Sequence, residues 1–133
     1  MSHNVILSGV KFNDMNLLGS IVTQLSKGTA MLDMTAKNFR TYPGQPTGCD
    51  AVIKMPGNHD IGLKHENGSY TPVFDPYSMS DVFQCADSGA RIGDLTREYT
   101  LQQAEYEAAQ NGMSTNRIAG KGGVVTLEIL DHS

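Results

Sequence analysis

At 133 residues the chain has the size of one ordinary domain, with no room for a second core of usual dimensions. Its 39% apolar content suffices to bury one sheet face under one or two helices, and 18% charged residues are too few for a disordered chain. A formal charge of −4 and an isoelectric point near 5.4 argue against a protein that coats nucleic acid, because that binding is driven by a surplus of Lys and Arg.

Residues 4–12 (NVILSGVKF) are aliphatic and β-branched and contain no Pro, which predicts a first strand. Asn13 is placed to cap a helix whose Leu17, Leu18, Ile21, Val22 and Leu25 recur at helical spacing, and Gly28 marks its end. Residues 29–34 (TAMLDM) predict a short strand. The following TAKNFRTYPGQPTG has the Pro and Gly punctuation of a loop, of a length that is often functional.

Three strand-like runs follow: AVIKM at 51–55, IGLKHE at 61–66 and SYTPVF at 69–74. Asn67-Gly68 joins the last two and predicts a hairpin, since both residues tolerate the positive φ of a type I′ turn. Pro72 is expected to place its strand at an edge or to interrupt it. Residues 76–90 carry no clear period. A helix then begins near Asp94 or Thr100 and stops at Gly112, with Gly93 a weak point. Residues 116–123 are expected to form a glycine-rich turn into a closing strand, VVTLEIL. The pattern predicts a single domain over residues 1–133 of α+β class: an antiparallel β-sheet of about five or six strands with two main helices packed on one face.

Cys49 and Cys85 form no CxxC pair, and the N-terminal sequence lacks the basic and apolar regions of a signal peptide, so reduced thiols and a cytoplasmic location are expected. No apolar run approaches the roughly 20 residues needed to span a bilayer, and no membrane role is expected. Gly57-Asn58-His59-Asp60 resembles one signature block of the dinuclear metallophosphoesterases. The DxH and GHxH blocks of that family are absent and the chain is too short for its fold, so a Gly-Asn turn between strands is the favoured reading. Glu105 and Glu107, two apart on a helix, point in different directions and read as a solvated face. No P-loop, dinucleotide fingerprint or activated nucleophile is evident, hence no catalytic residue, metal site or cofactor is assigned.

Three loops instead combine cations with glycine or aromatic residues. Lys37, Phe39, Arg40 and Tyr42 pair phosphate-binding charge with flat rings on which a base could stack. Arg117, Lys121 and Gly122 lie in a run whose glycines permit an anion-binding nest of backbone N–H groups. Lys64 beside His65 is a third basic position. Each also has a plainer reading as a solvated charge or an ordinary turn.

Met1-Ser2-His3 before a strand and Leu-rich helix, AVIKM leading to Asp60-Ile61-Gly62, the Asn67-Gly68 hairpin and the final helix, glycine turn and strand together resemble a family. It is the hypothetical chloroplast reading frame thirty-five family of small plastid, cyanobacterial and bacteriophage proteins, a domain of unknown function. The resemblance implies a fold for nearly the whole chain and supplies no catalytic residues. The family's C-terminal aromatic ending is replaced here by Asp131-His132-Ser133.

The favoured expectation is a non-catalytic protein that binds or sequesters a phosphate-bearing small molecule, a nucleotide or a nucleotide-derived signal. For a phage-encoded chain, that signal would be the host's. A homo-oligomer is expected from the open edges of a small sheet. The alternative is an accessory subunit docking through exposed side chains such as Met31, Met34 and Met79. A third reading is a small metal-dependent phosphodiesterase using His59 and Asp60.

Overall fold

The computed structural model describes residues 5–6, 11–75, 82–83, 92–120 and 125–131. The chain divides into two compact units, Met1–Phe83 and Gln84–Ser133. The first contains β1 (Val5–Ile6), α1 (Met15–Ser26), β2 (Met31–Asp33), β3 (Ala51–Lys54), β4 (Ile61–Glu66) and β5 (Ser69–Phe74). The second contains α2 (Gly93–Gln110), β6 (Ser114–Ala119) and β7 (Val125–Leu130). The α+β class and the complement of two helices and roughly six strands are as expected. The strands are distributed over two antiparallel sheets, one of five strands in the order β1-β5-β4-β3-β2 and one of two, β6-β7.

α1 starts one residue later than the sequence predicts. Asp14, rather than Asn13, is the N-cap, and its Oδ1 accepts the Leu17 N–H at 3.0 Å. Lys27 adopts a left-handed conformation at the C-terminus, and the Gly28 N–H donates to the Thr23 carbonyl at 3.0 Å. The buried stripe is Leu18, Ile21 and Val22. The helix packs against β2, and Gly19 is close enough to Leu32 that an added Cβ would lie 3.4 Å from its side chain.

The meander matches the strand runs closely, and Asn67 (φ 53°) and Gly68 (φ 81°) make its tight turn. Pro72 lies within β5 opposite Leu63; β5 is not an edge strand, since β1 pairs along its other side. Of the predicted first strand, Val5–Ile6 forms β1 and Phe12 makes an isolated bridge to Tyr70, while residues 4 and 7–10 lie outside the described set.

Strand alternation puts Ala51, Ile53, Ile61 and Leu63 on the face shared with Leu32, the α1 side, and Val52, Gly62 and Val73 on the other. That second face is covered by the loop between β2 and β3. The loop closes on itself through the Asn38–Gly48 bridge, with Phe39 N–H donating to the Thr47 carbonyl and Cys49 N–H to the Lys37 carbonyl, both at 3.0 Å. Coverage on both sides explains why Ala51, Val52 and Ile53 are all buried.

In the second unit, α2 begins at Gly93, and Gly112 (φ 74°) follows its end as expected. The predicted glycine-rich turn is corrected: residues 114–119 are a full strand, β6, paired in register with β7 from Ser114–Leu130 to Ala119–Val125. Residues 121–124 lie outside the described set. No helix among the described residues is long and apolar enough to cross a membrane.

Candidate functional site

The β2–β3 loop is seated on its sheet by two contacts. Phe39, 3% exposed, clusters with Val52 and Val73, with Ala36 and Cys49 packed alongside. Val52, Gly62 and Val73 are lateral neighbours on three adjacent strands, and the ring occupies the space over the central glycine. A Cβ on Gly62 would lie 2.5 Å from Phe39 Cδ1, a separation no real contact tolerates. Phe39 is therefore part of the core, and its ring is not available as an exposed stacking platform.

The second contact is Arg40 with Asp60. The guanidinium donates from Nε to Asp60 Oδ2 at 2.9 Å and from Nη2 to Oδ1 at 2.6 Å. It also reaches the Met55 and Gly57 carbonyls, each at 2.7 Å. Asp60 is 3% exposed and accepts two further bonds, from the Met55 N–H at 2.9 Å and the Arg40 N–H at 3.0 Å. Both carboxylate oxygens thus accept two hydrogen bonds, which fills their capacity. Burial works to raise the Asp60 carboxyl, but the Arg40 side chain and the two backbone N–H groups outweigh it and hold it below its ordinary value. The GNHD segment is by this arrangement a turn clamped to the neighbouring loop, and the Asp60 carboxylate is already fully engaged by protein donors. His59 Nε2 is buried without a hydrogen-bond partner. Among the described residues no three His, Cys, Asp or Glu side chains group as a metal site.

The remaining cations of this unit are more open. Lys37 Nζ donates to the Asp50 carbonyl at 2.9 Å, and the Asp50 carboxylate accepts the His65 N–H at 2.7 Å, so Lys37 and the Lys64–His65 segment are tied to one residue. Lys64 is exposed and alternates onto the same sheet face as Gly62. Tyr42, at the tip of the loop, is also exposed. Cys49 is half-buried, and burial pushes its thiol pKa up, consistent with a packing role.

In the second unit Arg117 is held by two carboxylates of α2. Its Nε and Nη2 take Glu105 at 3.1 and 2.7 Å, and Nη1 takes Glu98 at 2.6 Å. Glu98 and Glu105 are seven residues apart, two helical turns, and so share one face. The pair raises the Arg117 pKa, Glu105 contributing most; Glu98 is lowered despite burial working the other way. With all three guanidinium nitrogens donating to Glu98 and Glu105, Arg117 has its fork already occupied and is not presented for bidentate capture of a phosphate. Glu105 is thus a specific partner rather than part of a merely solvated face. Lys121 and Gly122 lie outside the described residues, as do Met79 and Cys85.

Exposed apolar side chains form a different pattern. Met31, 62% exposed, is on β2, one of the two edge strands of the five-stranded sheet, and Met34 follows it. Ile118, Ile129 and Leu130 are exposed on the β6–β7 ribbon, whose two strands have only each other as ladder partners among the described residues. No known protein family matches the chain, and neither a curated protein nor a solved structure is significantly similar to it.

Proposed function

We propose that this protein is a non-catalytic interaction module, an accessory subunit that docks onto a larger protein through its open strand edges. The observation that carries this reading is the position of Met31, Ile118, Ile129 and Leu130. All are large, apolar and exposed, and all sit on strands with an unpaired side among the described residues. Open edges invite pairing with another chain, and flexible Met side chains adapt to varied partner surfaces. The arginines expected to hold phosphate are engaged internally, Arg40 by Asp60 and Arg117 by Glu98 and Glu105.

Affinity capture with the intact chain tests the reading. A single stoichiometric protein partner is expected, unaffected by added nucleotides and lost in Met31→Glu or Ile129→Glu. Failure to capture any protein, or capture unchanged in both variants, would overturn it.

A second reading, a nucleotide or other phosphate-bearing ligand, is favoured by the exposed Lys64 and Tyr42 and by the anchoring of Lys37 and His65 on Asp50. It predicts a higher melting temperature with such a ligand, about 2.7 kcal/mol of apparent stability at a hundredfold excess over Kd. Lys37→Ala with Lys64→Ala would remove that shift.

A further inference from the structure

β7 runs Val125–Leu130 and is covered along one side by β6. Arg117 of β6 turns toward the α2 carboxylates, so its register partner Leu127, with Thr115 and Ile129, belongs to the helix side of the ribbon. Asn116, Ile118, Thr126, Glu128 and Leu130 alternate onto the opposite side. There Glu128 has no ion-pair partner among the described residues; its cross-strand neighbour is the neutral Asn116, and Leu130 lies two residues along the same strand and face. Glu128 and Leu130 are exposed, as is Ile118 on the partner strand.

We infer that the outer edge of β7 accepts an extended segment of a partner protein, added antiparallel, with a Lys or Arg opposite Glu128 and apolar residues opposite Leu127, Ile129 and Leu130. This rests on the interaction reading above and names the chemistry of the partner. Main-chain hydrogen bonds to the open edge supply pairing, and alternate side chains supply selectivity. Charge complementarity determines the occupant. A carboxylate whose cross-strand neighbour is the neutral Asn116, with no ion-pair partner among the described residues, favours a cation across the strand, and like charges directly opposite are destabilising. A second copy of β7 cannot supply that cation, because VTLEIL contains none and brings its own Glu128. A second copy's β6 offers only Arg117, already engaged with Glu98 and Glu105. Neither β1 nor β2 of a second copy carries a cation, and the Asp33 carboxylate of β2 is already paired with Lys54.

The probe is the end-blocked pentapeptide Val-Val-Lys-Val-Thr, titrated against the intact isotope-labelled protein while backbone amide resonances are followed. Its counterpart with Glu in place of Lys is the control. Saturable shifts are expected at residues 126–130 with the Lys peptide, and binding about tenfold weaker with the Glu peptide, about 1.4 kcal/mol. Glu128→Lys should reverse the preference, and Glu128→Gln should remove most of it, both leaving the remaining spectrum folded. Equal binding of the two peptides, a preference unchanged in Glu128→Lys, or no saturable shift in β7 would overturn the inference. If partner capture persists in Glu128→Lys but is lost in Met31→Glu, the interaction reading stands and the inference about β7 falls.

Discussion

At Gly62 the central strand carries no side chain, and the ring of Phe39 fills the resulting space between Val52 and Val73. Gly62→Ala inserts a methyl group into that ring and is expected to cost roughly 1–3 kcal/mol by overpacking. Phe39→Ala removes a buried aromatic and is expected to cost about 3–5 kcal/mol. With the ring gone the alanine at 62 has room, so denaturant unfolding of the double variant should give less than the sum, a coupling that distinguishes direct contact from independent damage. A glycine inside a strand-like run is the visible signal for such close approach. Which ring approaches is not legible, because Phe39 is brought to Gly62 by a loop rather than by any local period.

Arg40 and Asp60 pose the same kind of problem across twenty residues. Arg40→Ala leaves Asp60 buried with only its two backbone donors. The expected loss lies at the low end of the roughly 3–5 kcal/mol typical of broken buried pairs, because the Arg40 side chain is 53% exposed and partly screened by water. The folded-state carboxyl is depressed, so its contribution is fully present above the unfolded value near about pH 3.9 and is lost as pH falls through the lower folded value. The stability difference between wild type and Arg40→Ala, followed by urea unfolding, should be constant near neutrality and shrink below about pH 4. A difference that grows on acidification would contradict the clamp.

At the scale of elements, long or strongly patterned segments were the most legible. The apolar spacing of α1, the β4–β5 hairpin with Asn67-Gly68, and the glycine after α2 are all set by local chemistry. β6 was not legible, because STNRIA is mostly polar and runs into glycines that read as a turn. Its stability comes from β7 and from the Arg117 contacts to α2, which are tertiary. The same contacts account for the misreading of Arg117 as an available cation, since charge counting does not reveal that Glu98 and Glu105 converge on it. Arg117→Ala is expected to cost about 1 kcal/mol or less, an effect weakened by added salt. It should appear as faster amide exchange in β6 while β3 and β4 are unchanged.

At the scale of the molecule, length set the expectation of one domain, whereas the contacts group residues 1–83 and 84–133 as two compact units. The order of predicted elements placed the chain in the α+β class but carried no information about which strands would be left with open edges. Those edges depend on pairing, and pairing is long-range. The proposed function has the protein work through them, with Met31 at the edge of one sheet and Ile129 and Leu130 on the other. The most direct test is amide hydrogen exchange on the intact chain, alone and saturated with its captured protein partner. Protection concentrated in residues 31–34 or 126–130 is the predicted result. Protection confined to residues 37–42 and 64, with both strand edges unchanged, would contradict the claim and favour a ligand on the β2–β3 loop.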